Sequence, residues 1–144
     1  MAANGQAGLP ERLALGPVTI LVREDAASTG GAMTIFEELP PMVDTPLHVH
    51  DHEDEAFYVL EGEHEFQVGE RTHRVGPGGM VFAPRGIPHS QRRVVPRTGH
   101  ILVLTVPAGL EGFFRALAEA DAAGGLGPEA YARASKEYGI SWVG

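Results

Sequence analysis

Between Val18 and Val106 the chain alternates short apolar runs with polar breaks. VTILVRE (18–24), AMTIFEEL (32–39), LHVH (47–50), RTHRV (71–75), SQRRVV (90–95) and HILVLTV (100–106) alternate or are rich in β-branched and aromatic residues, which predicts strands. EAFYVLEGEHEFQV (55–68) breaks at Glu61-Gly62 and predicts a hairpin. GPGGMVFAPRGIPH (76–89) predicts a short strand between two Gly/Pro turns, and DAASTGG (25–31) predicts a turn. Short strands repeating every 8–12 residues, roughly, point to an all-β sandwich or small barrel.

Beyond Pro107 the period changes. Leu110, Phe113, Phe114, Leu117 and Asp121 fall at helical spacing, and Gly124-Gly125 stops the run. Pro128 opens a second helix, PEAYARASKEYG, with Gly139 at its end. The expected organisation is a small polar arm at 1–12, a β-barrel at 13–108 and a C-terminal helical segment at 109–144. That segment should pack on the barrel or on a partner subunit.

Composition narrows the chemistry. The 144 residues contain no cysteine, which excludes disulfides, thiolate metal sites and a cysteine nucleophile. A formal charge of −8 argues against nucleic-acid binding and against anionic membrane surfaces. No apolar run reaches the ~20 residues of a membrane span, and the N-terminus lacks the pattern of a signal peptide, so a cytoplasmic location is expected.

Four of the seven histidines, His48, His50, His52 and His64, lie within 17 residues. On a strand, His48 and His50 point to one face. A turn at 51–54 would return Glu55 to that face, and His89 follows the strand-turn GGMVFAPRGIP. An isolated His-x-His is more often a solvated surface pair. Three imidazoles with one carboxylate suit one divalent ion of Fe, Mn, Ni, Zn or Cu.

These residues resemble the cupin superfamily. Its first motif, G-x5-H-x-H-x3–4-E-x6-G, is matched by His48, His50, Glu55 and Gly62, with Met42 in place of the leading Gly. Its second, G-x5-P-x-G-x2-H-x3-N, is matched by Gly78, Pro84, Gly86 and His89, with Arg93 in place of the closing Asn. The chain is similar to quercetin dioxygenase-like small cupins, also in its YGISWVG tail, and to cupin-type cyclases of aromatic polyketides. The resemblance implies an antiparallel jelly-roll barrel (a double-stranded β-helix) with His48, His50, Glu55 and His89 as metal ligands. It also implies Glu55 as the base.

Strand parity adds a pocket. Phe57 and Val59 share the parity of Glu55, Ile87 and Gln91 that of His89, and Phe66 that of His64. His64 is read either as a core histidine bonded to backbone or as a second catalytic, substrate-contacting imidazole. His52 sits in an acidic turn and is expected in solvent; His73 and His100 carry no special spacing. Arg85, Arg92, Arg93 and Arg97 could pair with the acidic positions Glu61, Glu63, Glu65 and Glu70. The expected function is a metal-dependent enzyme acting on a small aromatic or enolisable hydroxy-carbonyl substrate, dioxygenase-type. The alternatives are a non-redox, zinc-dependent polyketide cyclase and a small-ligand-binding cupin without turnover. Barrel edges and the aromatics Phe113, Phe114, Tyr131, Tyr138 and Trp142 point to a homodimer.

Overall fold

The computed structural model describes residues 8–42, 44–95 and 98–143. The elements in chain order are β1 (Glu11–Leu15), β2 (Val18–Glu24), α1 (Ala26–Thr29), β3 (Thr34–Glu38), β4 (His48–His50), β5 (Asp54–Glu61) and β6 (His64–Val68). They continue with β7 (Arg71–Val75), β8 (Met80–Ala83), β9 (His89–Arg93), β10 (His100–Val106), α2 (Glu111–Ala122), α3 (Pro128–Tyr138) and β11 (Ile140–Trp142). They form two antiparallel sheets, one ordered β1-β2-β3-β10-β5-β8 and the other β11-β4-β9-β6-β7. This is the expected all-β jelly roll with helices at its C-terminal end.

Period-two alternation places inward side chains in rows across the larger sheet. Val22, Phe36, Val103, Phe57 and Val81 stand level on β2, β3, β10, β5 and β8. All five are buried, and each such side chain contributes roughly 1.5–3 kcal/mol on leaving water. On one side of this apolar row stands Thr34–Thr105–Glu55–Ala83. On the other stands Ile20–Glu38–Ile101–Val59.

Three expectations need correction or sharpening. The segment 55–68 is not a hairpin: β5 pairs with β10 and β8, whereas β6 pairs with β7 and β9. Gly62, at φ +84°, carries the chain from one sheet to the other. A Cβ there would sit 3.2–3.3 Å from the backbone of Thr98 and Gly99, so the crossing needs glycine twice over. The turn at 25–31 contains the one-turn helix α1, capped by Asp25. The N-terminal arm is shorter than expected, because β1 begins at Glu11; residues 1–7 lie outside the described residues.

The C-terminal helices pack on the barrel. Buried Glu111 anchors α2 by accepting from the Thr34 hydroxyl at 2.5 Å, the Ala26 N–H at 2.8 Å and the Gly109 N–H at 2.9 Å. Arg115 reaches Glu11 at 2.6 Å and Asp25 at 2.8 Å. Phe113 and Leu117 are buried, and Phe114, Tyr131 and Tyr138 pack against the same core. Among the described residues no helix is long and apolar enough to cross a membrane.

Candidate metal centre

The two halves of the site are tied together through backbone. The Gly86 N–H donates to the His50 carbonyl at 2.9 Å, and the Arg85 N–H donates to Asp54 Oδ1 at 2.8 Å. The turn before His89 is thereby fixed onto the turn before Glu55. His48 stands level with His89 across β4 and β9. On the other side of β4, β11 pairs antiparallel, with Trp142 level with His48 and Ile140 with His50.

His48, His50, Glu55 and His89 converge, each offering one ligand atom, and those atoms lie within 4.8 Å of one another. His50, Glu55 and His89 are buried, and His48 is half-buried. Glu55 Oε1 lies 2.9 Å from His50 Nε2 and 3.0 Å from His89 Nε2. Neighbouring ligand atoms at ~2.1 Å from one ion would be about 3 Å apart, so this spacing fits a coordination sphere.

The histidine rings are oriented for that role. His48 Nδ1 faces the Pro46 carbonyl at 2.8 Å, His50 Nδ1 faces Glu53 Oε1 at 3.1 Å, and His89 Nδ1 faces the Ile87 carbonyl at 3.3 Å. An acceptor at each Nδ1 holds the proton there and turns the Nε2 lone pair inward, as metal-ligating imidazoles require. The donor set therefore fits one divalent ion of the first transition row.

In the metal-free chain the electrostatics differ from ring to ring. Burial, and then the neighbouring His89, pulls His48 down to about 4, which keeps that imidazole neutral. Burial alone would lower His50, but the carboxylates of Glu55 and Glu53 outweigh it and push the ring up to about 9 in the metal-free chain. Burial likewise opposes ionisation of Glu55, yet His50 and His89 hold it well below the usual carboxylate range. Glu55 is thus an anion across the neutral pH range.

The cluster opens into a cavity with an empty volume of about 810 Å³, including its open mouth. The wall is largely apolar: Val18, Ile20 and Phe57 come from the barrel, and Leu110, Phe113 and Leu117 from the C-terminal segment. Trp142 stands beside the His/Glu cluster, its ring 5.1 Å from that of His48.

Of the pocket residues expected from parity, Phe57 and Gln91 line this cavity. Val59 and Phe66 do not; they are 0% and 1% exposed, inside the core. Ile87 is 39% exposed on the turn before β9, packed near Gly69 and outside the cavity. His64 does not reach the cavity either. It is fully buried, with Nδ1 3.3 Å from Gln91 Oε1 and Nε2 3.0 Å from the Glu61 carbonyl. Its position makes it the core histidine of the two readings, not a substrate-contacting one. His52 is exposed, as expected. Arg92 pairs with Glu65 at 3.0 Å and Arg74 with Glu63 at 2.8 Å, on the outer face of the smaller sheet.

Three contributors escaped the sequence reading. Glu53 orients His50, and its signal was an acid three residues beyond a ligand histidine. The α2 and β11 side chains form the cavity wall, which no local pattern announced. Glu38 also lines the cavity. Its signal was parity, for it shares the inward phase of Thr34 and Phe36.

The cupin domain family matches residues 35–105, the stretch that carries all four candidate ligands. The chain belongs to the cupin superfamily. Solved cupin folds superpose over most of it. The structure of KdgF from Halomonas sp. covers 70% of this chain and 89% of its own, at 16% identity and a TM-score of 0.61. An RmlC-like cupin from Shewanella frigidimarina covers 72% of this chain and 88% of its own, at 21% identity and a TM-score of 0.58. In sequence, dimethylsulfoniopropionate lyase DddQ of Ruegeria pomeroyi is 46% identical over 48 residues. That stretch is 33% of this cupin and only 23% of the lyase.

Proposed function

We propose that this cupin is a metal-dependent enzyme acting on a small, largely apolar, enolisable hydroxy-carbonyl compound, with a dioxygenase-type reaction. The observation that carries this reading is the convergence of three Nδ1-anchored imidazoles and one ionised carboxylate at the wall of an apolar cavity. A bound divalent ion supplies Lewis-acid stabilisation of negative charge on a coordinated oxygen.

The chain's own residues do the rest. Glu55 engages His50 and His89 through Oε1 alone, and no hydrogen bond among the described residues uses Oε2. That oxygen is placed to accept the proton of a substrate hydroxyl. Glu53, Pro46 and Ile87 hold the imidazoles in register. Phe57, Phe113 and Leu117 exclude water and strengthen the local electrostatics.

Oxygen uptake by metal-loaded protein offered a panel of flavonols and linear polyketide mimics tests this reading, with product formed only in air as the expected result. A second reading, non-redox proton transfer as in a polyketide cyclase, draws support from the local match to a lyase. Product formed under strict anaerobiosis, with no uptake in air, would replace the first reading by the second. A homodimer is part of the proposal. The C-terminal aromatics are largely used within the chain, whereas Met80 and Phe82 on the edge strand β8 are 59% and 57% exposed. Light scattering should give a mass above 15.3 kDa.

A further inference from the structure

Glu38 is the cavity's carboxyl that the metal cluster leaves unused. It ends β3 at an inward position, half-buried, level with Ile20 and Ile101, which are 1% and 0% exposed. The apolar row through Phe36 and Phe57 separates its row from that of Glu55. Their levels differ by four residues, about 13 Å along the strand direction. Among the described residues nothing donates a hydrogen bond to the Glu38 carboxyl, and no cation pairs with it. A carboxyl placed so, without a partner, is costly. Its open side is the cavity, so the missing partner comes from whatever fills the cavity.

We propose that Glu38 is a substrate-contacting residue that hydrogen-bonds an oxygen at the end of the substrate remote from the metal cluster. The substrate class is thereby narrowed to molecules with two oxygen functions. A hydroxy-carbonyl pair faces the cluster, and a second hydroxyl or carbonyl lies on the far side of an apolar body. This rests on the reading that the cluster holds a metal and the substrate's hydroxy-carbonyl end.

Burial, and then the negative charge of Glu55, pushes the Glu38 carboxyl up to about 8. It therefore stands neutral at pH 7 and offers an O–H donor. The other titratable side chains around the cavity are His48, His50, His89 and Tyr131. None of them shares a hydrogen bond with Glu38.

The test is calorimetric binding to Zn²⁺-loaded protein, using two matched pairs of metal-chelating probes of different length. The pairs are allomaltol with kojic acid, and 3-hydroxyflavone with 3,4′-dihydroxyflavone. Members of a pair differ by one oxygen remote from the chelating group. Wild type should prefer the hydroxylated member of at least one pair by roughly 5–10-fold, the worth of one hydrogen bond. Glu38→Leu should erase that preference. Glu38→Gln, which keeps a donor of the same shape, should retain part of it. No preference in either pair, or a preference that survives Glu38→Leu, overturns the proposal. Plain members that bind equally well without Zn²⁺ overturn the metal reading instead, so the two failures are distinguishable.

Discussion

His64 and Glu38 are two titratable side chains on inward strand positions, one in each sheet, and they have opposite fates. His64 lies in the smaller sheet, closed off from the cavity, with both ring nitrogens facing partners. Glu38 lies in the larger sheet, opens into the cavity and has no partner among the described residues. The more deeply buried of the two is His64, so burial by itself does not mark function. An unmet hydrogen-bonding demand that faces empty space does. The four candidate ligands extend the same rule: each imidazole meets its own demand at Nδ1 and leaves Nε2 turned to the centre.

The sharpest way to test that contrast is to change the group that touches the reacting atoms. Glu55→Gln keeps the shape and a weak oxygen ligand but removes the base. Turnover by protein that still carries metal should fall by about 10²–10⁴-fold. Full activity in metal-loaded Glu55→Gln would show that the proton goes elsewhere.

A smaller effect is expected one bond further out. Glu53→Ala removes the acceptor that holds His50 Nδ1, and metal affinity should fall by about 10–100-fold while the fold persists. An unchanged affinity by competition with a chelator would show that Glu53 does not orient the ring.

His64→Ala should behave as a core truncation. A stability loss of about 2–3 kcal/mol in denaturant melts, with unchanged metal occupancy, is the expected pattern. Lost metal without lost stability would return His64 to the active site.

Glu38 gives the most distinctive signal, one that appears only as a dependence on pH. Its carboxyl is raised from 4.5 to about 8 by burial and by Glu55, so the folded metal-free protein holds a proton that the unfolded chain releases near pH 4.5. The associated stability is complete below pH 4.5 and is lost as pH rises towards 8, by up to about 1.4 kcal/mol per pH unit. Glu38→Gln should remove this slope and be more stable than wild type at pH 8. Parallel stability curves for the two proteins across pH 5–8 would show that Glu38 ionises as freely as in water.

Much of this architecture is legible in the sequence, because local chemistry repeats where geometry repeats. The strands of the barrel announce themselves by alternation, and the ligands by spacing within two motifs that flank tight turns. What is hidden depends on distant partners. The segment 55–68 has the pattern of a hairpin, yet Gly62 sends β6 to the other sheet, where β9 awaits it. Ile140–Trp142 is too short to declare itself a strand and becomes one only beside β4. Parity put Val59 and Phe66 correctly inside, but the barrel interior is part core and part cavity. The placement of the C-terminal segment, with α2 and β11, divides one from the other.

The central claim is that His48, His50, Glu55 and His89 together hold one divalent ion at the cavity wall. Titration of metal-free protein with Co²⁺ tests it directly, followed by visible absorption and by quenching of Trp142, the sole tryptophan, beside His48. One equivalent should saturate both signals, and His50→Ala should bind at least about 100-fold more weakly. Stoichiometric binding in His50→Ala with wild-type affinity, or no binding by wild type, would contradict it.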